Sequence, residues 1–281
     1  MVSLVHSKSG LDNGVGVTPN GLDFNNDGTK MFIVFQSEVT NSTYTIVEEY
    51  NLSKPFNIST ASYVGDSEIC TLNTGDTTFG PKDRVYDIDF SRDGMKFLVA
   101  RGSSTGGDAE DDKVFMFNLT SPFDISTCSF ANDTNNLDSA ALQEGSNAGP
   151  PKAGGHSGHK KNRAQAIKIN DDGTKLFIAM QGAGDFEVRL LEYKLSTPYD
   201  LGTISLVTTA GINLESSVGD NPNGLDFSKN GKRLFILSHN NSRKSVTQIS
   251  LTRSYDTSSF TIDGSIKLTN ISGVPAIGPR G

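Results

Sequence analysis

The sequence predicts an all-β chain, a β-propeller of about four blades, each a four-stranded antiparallel sheet. Three observations carry this expectation. Two motifs recur four times, always in the same order, along the 281 residues. The apolar runs between turns are short and continuous rather than alternating, as in strands covered on both faces. The composition is turn-rich, with 29 Gly and abundant Asn, Ser and Thr, and no segment holds a 3.6-residue period in good helix formers. A sandwich or jelly roll ranks behind the propeller, since neither explains four equivalent units.

The first motif reads Gly21-Leu-Asp-Phe-Asn-Asn-Asp-Gly-Thr-Lys-Met-Phe-Ile-Val34 in its first copy. It returns at Tyr86–Ala100, Ala166–Ala179 and Gly224–Leu237. Its turn glycines are Gly28, Gly94, Gly173 and Gly231, which gives spacings of 66, 79 and 58 residues. Each unit therefore has room for four strands and their loops. The second motif, Glu49-Tyr-Asn-Leu-Ser-Lys-Pro-Phe-Asn-Ile-Ser-Thr60, is repeated at Phe117–Thr127, Glu192–Thr203 and Gln248–Ser259.

Within a unit, strand a ends at the Asp-Gly or Asn-Gly pair, where glycine supplies the positive φ of a tight turn. Strand b is the continuous apolar run, Met31–Phe35, Phe97–Ala100, Leu176–Met180 and Leu234–Leu237. Strand c covers Thr45–Leu52, Val114–Leu119, Arg189–Leu195 and Val246–Leu251. The Ser-x-Pro-aromatic-Asp segment then turns the chain, because Pro fixes φ and Asp caps nearby backbone. Strand d follows at Ala61–Val64, Cys128–Phe130, Thr203–Val207 and Ser259–Ile262. The units span about 19–66, 84–131, 163–208 and 222–268 of a single domain over 1–281, with a long surface loop at 131–162.

The ends of the chain leave two alternatives open. Val2–Val5 resembles Ile204–Val207, and both precede a Pro-Asn-Gly-Leu-Asp-Phe segment, Pro19–Phe24 and Pro222–Phe227. The N-terminal segment is thus expected to be a strand of type d. The last unit also owns such a strand near Phe260–Leu268, so either the last blade has five strands or an edge pairs with another chain.

With 32 acidic against 25 basic side chains and a net charge of −7, the chain lacks the clustered cations of a nucleic-acid binder. No apolar run approaches the roughly 18 residues of a spanning helix, so no membrane insertion is expected. The N-terminus shows no secretory signal, and the seven Asn-x-Ser/Thr triplets are expected by chance. Cys70 and Cys128 fit neither a disulfide framework nor a metal-ligand spacing and are expected to be free, partly buried thiols.

Candidate chemistry is sparse. Asp23, Asn25, Asp27 and Gly28 match the first half of a calcium loop, but Val34 stands where a bidentate Glu belongs and Lys168 replaces Asp23 in the third unit, so a turn is preferred. His156 and His159 are three residues apart, among Lys160, Lys161 and Arg163, which disfavours a cation site. His6 and His239 are isolated, and Asp108–Asp112 reads as a solvated acidic turn. Phe56, Phe123, Tyr199 and Tyr255 recur once per unit, as rings packing between blades would. No catalytic, cofactor or metal residue is assigned. The sialidase-type Asp box ends in Trp, which this chain lacks, and no nucleophile elbow, phosphate loop or dinucleotide fingerprint is present.

The pattern Phe-x-x-Asp-Gly-x-Lys followed by three apolar residues resembles blades of the WD and TolB types, without the Trp-Asp signature. Its pairing with Tyr-x-Leu-Ser-x-Pro-Phe is more specific. It is similar to the repeats of structural and tail-fibre-like proteins of marine tailed bacteriophages, including those infecting cyanobacteria. The resemblance runs over Pro19–Ile262; the fourth unit departs from it at Asn230-Gly231 and Ser254. It implies a non-enzymatic virion component in a tail, fibre or capsid appendage, assembled in the host cytoplasm. Its expected partners are other virion proteins, further copies of itself as a homo-oligomer, and a host surface glycan. The alternatives are a carbohydrate- or host-surface-binding module and a polysaccharide hydrolase or lyase with its site in the central channel.

Overall fold

The computed structural model describes residues 17–37, 45–72, 83–103, 113–134, 163–181, 189–207, 212–214, 221–239 and 244–267. Four antiparallel sheets are arranged as a four-bladed β-propeller. Blade 1 holds β1 (Val17–Phe24), β2 (Lys30–Ser37), β3 (Ile46–Leu52), β4 (Ala61–Tyr63) and β5 (Cys70–Thr71). Blade 2 holds β6 (Asp83–Phe90), β7 (Lys96–Ser103), β8 (Lys113–Asn118) and β9 (Ser129–Asp133). Blade 3 holds β10 (Arg163–Ile169), β11 (Lys175–Gln181), β12 (Arg189–Leu195), β13 (Ile204–Leu206) and β14 (Ile212–Asn213). Blade 4 holds β15 (Pro222–Phe227), β16 (Arg233–His239), β17 (Lys244–Arg253) and β18 (Asp256–Lys267). In blades 1 and 3 the outer strand is broken, since β4 and β5 pair with opposite ends of β3, as β13 and β14 do with β12.

The continuous apolar runs are strands whose two faces enter two different cores. Phe97 and Val99 of β7 join a cluster with Phe32, Val34 and Val47 of blade 1, while Leu98 and Ala100 join Ile167, Leu176 and Ile178 of blade 3. Ala166, Phe177 and Ala179 meet Leu225, Leu234 and Ile236 of blade 4 in a third core. A smaller fourth cluster, Met31, Tyr50 and Leu52 with Phe24, Ile33, Ala61 and Tyr63, contains residues of blade 1 alone.

The two sequence motifs are coupled by one contact. In blade 1 the a–b connection is a five-residue loop rather than a two-residue hairpin; Gly28 N–H donates to Asn25 O (3.0 Å), and Gly28 has φ 70°. Phe56 N–H then donates to Gly28 O (2.8 Å), and the Phe56 ring lies where a Cβ on Gly28 would be, 2.4 Å away. The other three blades repeat this with Phe123 on Gly94, Tyr199 on Gly173 and Tyr255 on Gly231. All four aromatics have left-handed backbones, φ 52–57°. After the ring a single 3-10 turn follows in blades 1 to 3, with Asn57 and Asp200 accepting from Ser59 N–H and Gly202 N–H. Blade 4, where Ser254 replaces Pro, omits that turn and passes directly into the 12-residue β18.

The cysteines correct the expectation of free thiols. Cys70 and Cys128 form a disulfide, with Cα atoms 5.9 Å apart, joining the outer strand of blade 1 to the residue that leads into the outer strand of blade 2. Neither spacing nor count could show this, because a loop with a sequence separation of 58 closes only when neighbouring blades align their rims. Blade 4 completes its sheet with its own β18; the expected strand at Val2–Val5 lies outside the described residues.

Candidate functional site: the channel mouth

Strand a of each blade is innermost, so the repeat places equivalent residues around the axis. One tier is Asp23, Asp89, Lys168 and Asp226, set opposite Phe32, Leu98, Phe177 and Phe235 on the b strands. Above it, in the a–b loops, the equivalent positions are Asn26, Arg92, Asp171 and Lys229. Together with Tyr255 and Phe123, the residues of these tiers other than Asp89 border a cavity of about 430 Å³.

Most charges there tie one blade to the next. Asp23 accepts Phe24 N–H and, from blade 2, Phe90 N–H, both at 2.8 Å. Asp87 accepts Ile88 N–H at 3.0 Å and Ile167 N–H of blade 3 at 2.9 Å. Asp89 accepts Ile169 N–H at 2.7 Å, and its other oxygen accepts Lys168 Nζ at 2.6 Å. Lys168 also lies 3.4 Å from Asp226. At the mouth, Asn26 Nδ2 donates to Arg92 O (2.6 Å), and the Arg92 guanidinium pairs with Asp171 at 2.6 Å.

Burial sets the protonation of this tier. It raises Asp23, pushes Asp87 well above the carboxylate range, and carries Asp89 up to about 7 despite the opposing charge of Lys168. Burial also works against the Lys168 ammonium, yet Asp89, Asp23 and Asp226 outweigh it and hold the amine protonated well above the usual lysine range. The site is thus a lysine ammonium paired with Asp89 and Asp226 of the two flanking blades, with the charge of Asp23 of blade 1 acting on it as well.

The half calcium loop is a turn whose oxygens serve the chain. Asp27 accepts Thr29 N–H (3.0 Å), Asn25 Oδ1 accepts Lys30 N–H (2.9 Å), and Asp23 faces blade 2. Among the described residues no three His, Cys, Asp or Glu side chains are grouped to hold a metal ion. His6, Asp108–Asp112, His156 and His159 lie outside the described residues; His239 ends β16, with its side chain outside them. Three of the four recurring aromatics pack between blades: Phe123 reaches Phe32 of blade 1 (6.2 Å), Tyr255 reaches Phe177 of blade 3 (6.4 Å), and Tyr199 packs on the core shared by blades 2 and 3, whereas Phe56 meets Phe24 of its own blade and is exposed. Their seat on the turn glycine of their own blade escaped the sequence reading. So did the channel tier, although superposing the four copies at Asp23, Asp89, Lys168 and Asp226 contains it.

Among the described residues, no helix is long and apolar enough to cross a membrane. No protein-family model and no curated protein matches this chain. Solved structures resemble it in fold. A protein from Lactobacillus plantarum superposes with a TM-score of 0.50 at 14% identity, over 89% of this chain and 55% of that one. A functionally unknown protein from Desulfotomaculum acetoxidans gives 0.45 at 11% identity, over 89% and 56%. Hydrazine synthase of Kuenenia stuttgartiensis gives 0.43 at 11% identity, over 83% and 52%. The chain spans about half the length of each of these structures.

Proposed function

We infer that this chain is a non-enzymatic structural module that serves assembly and attachment. On the resemblance of its repeats, we place it in a tailed-phage particle, as part of a tail, fibre or capsid appendage. One observation supports the reading above others: the channel carboxylates are structural ties. A glycoside-cleaving pair needs two carboxyls facing a substrate. Here Asp23, Asp87 and Asp89 each hold a backbone amide of the next blade, and Asp89 and Asp226 clasp Lys168. The disulfide adds a condition. Such bonds persist in oxidising surroundings, so in a particle built in the cytoplasm Cys70–Cys128 would close after release.

A second reading is a carbohydrate- or host-surface-binding module, favoured by the mixed donors and acceptors at the mouth, Asn26, Arg92, Asp171 and Lys229. Quantitative composition of purified particles separates the readings. A structural part is present at fixed copy number and releases no sugar from host polysaccharide. Saturable glycan binding abolished by Arg92→Ala, with the chain missing from particles, would favour the second, and release of reducing ends would overturn both.

A further inference from the structure

The junction between blades 1 and 2 is built from one set of contacts, and among the described residues the junction between blades 4 and 1 presents both halves of that set unjoined. On blade 1, Asn20 Nδ2 donates to Val85 O of blade 2 at 2.6 Å. Gly21 lies so near that a Cβ there would come within 2.6 Å of Asp87 Cα, and Asp23 accepts Phe90 N–H. Blade 4 carries the same six residues, Pro222–Phe227 repeating Pro19–Phe24. Yet Asn223 and Asp226 are exposed, and the atoms nearest a Cβ on Gly224 belong to Leu237 of its own blade.

The rings tell the same story. Phe32 of blade 1 lies 4.4 Å from Phe90 of blade 2, which lies 5.5 Å from Phe123. Phe177 of blade 3 lies 4.7 Å from Phe227 of blade 4, itself 5.1 Å from Tyr255. At the open junction the counterparts are Phe235 on blade 4 and the pair Phe24–Phe56 on blade 1. That pair is formed at 5.6 Å, but Phe56 is 60% exposed. Leu22 of blade 1 is 56% exposed, whereas Ile88, Ile167 and Leu225 at the same position are 3%, 1% and 8%. Leu237 of blade 4 is 39% exposed, whereas Val34, Ala100 and Ala179 are fully buried.

We propose that these two faces join copies of this chain head to tail, blade 4 of one copy packing on blade 1 of the next. Phe235 then completes the Phe24–Phe56 pair, and Leu237 and Leu22 are covered. The occupant is a second copy because each face is the complement of the other. A face built as the departing side of this repeat is matched by its approaching side, and the described residues leave one of each uncovered. Such a contact is heterologous, so it adds copies in one direction until a ring closes or a filament grows. It goes beyond the assembly role inferred above and stands without it, being argued from the junctions alone.

The test is the mass of the full chain in solution, by light scattering and sedimentation across the micromolar range. The native chain is expected to associate as concentration rises. Leu22→Asp and Leu237→Asp each leave single chains, since each spoils one face, and their equimolar mixture gives a species of two chains and no larger, because it holds one sound joint. Both side chains are already exposed, so each variant should melt cooperatively by circular dichroism; if Leu237→Asp does not, Ile266→Glu at the rim of the same face replaces it. The proposal is overturned if the native chain stays single throughout, if the variants associate like the native chain, or if their mixture does not associate. It is equally overturned if Leu22→Cys/Leu237→Cys crosslinks within one chain, which would show the ring shutting on itself.

Discussion

Beneath each recurring aromatic lies a glycine, and the two define one another. Tyr199 can stand on the a–b loop only because Gly173 has no Cβ, and Tyr199 OH then donates to Asp171 O at 2.8 Å. Gly173→Ala would place a methyl 2.3 Å from the ring on a backbone with φ 71°. The backbone alone costs roughly 1–2 kcal/mol in a left-handed alanine. A loss of at least that size in urea unfolding is expected, and an unchanged midpoint would refute the pairing. The channel tier makes a second prediction. The folded chain keeps protons on Asp87 and Asp89, the latter near 7, where an unfolded Asp titrates at 3.8. Over that window the folded state binds more protons, so stability rises as pH falls from about 8 towards about 5. Melting temperatures measured across that range should increase on acidification; Lys168, protonated throughout, contributes no slope there.

At the scale of strands, the sequence was legible where both faces of a strand are apolar. The four b strands were found at nearly their observed positions because burial on both sides keeps their cores apolar, and the c strands because each leads into the recurring second motif. The d strands were found as well, Ala61–Val64 against the observed Ala61–Tyr63, but the added outer pieces β5 and β14 were not, since at two residues each neither period nor length marks them. The disulfide was hidden for the same reason, since it depends on how two such outer strands align. The channel tier was hidden because its residues lie more than fifty positions apart in sequence and meet only around the axis. Closing a loop of 58 residues limits the unfolded chain by about 4 kcal/mol on the loop-entropy estimate. Cys70→Ser should lower the unfolding free energy by an amount of that order. Reducing agent should do the same to the native chain and nothing to the variant.

For the molecule as a whole, protection should follow the number of covered faces. Blades 2 and 3 are packed on both sides, through Phe97 and Leu98 in one and Ile178 and Phe177 in the other. Among the described residues, blade 4 is packed on one side only, and ten of the twelve residues of β18 are exposed. In dilute solution, hydrogen exchange should therefore be slowest in β7 and β11 and fastest in β18, because local opening is easiest where fewest apolar contacts break. Equal rates across the four b strands would contradict this.

The crosslink between the first two blades has a mechanical consequence. Load applied to the two ends of the chain enters at blades 1 and 4, and the Cys70–Cys128 bond keeps the segment it spans from paying out. With 58 residues held back, at about 3.3–3.6 Å each, roughly 200 Å of extension stays unavailable until the bond is cut. Drawn apart in an optical trap, the oxidised chain should stop short of the reduced one by that length, a built-in limit on how far the molecule can be stretched.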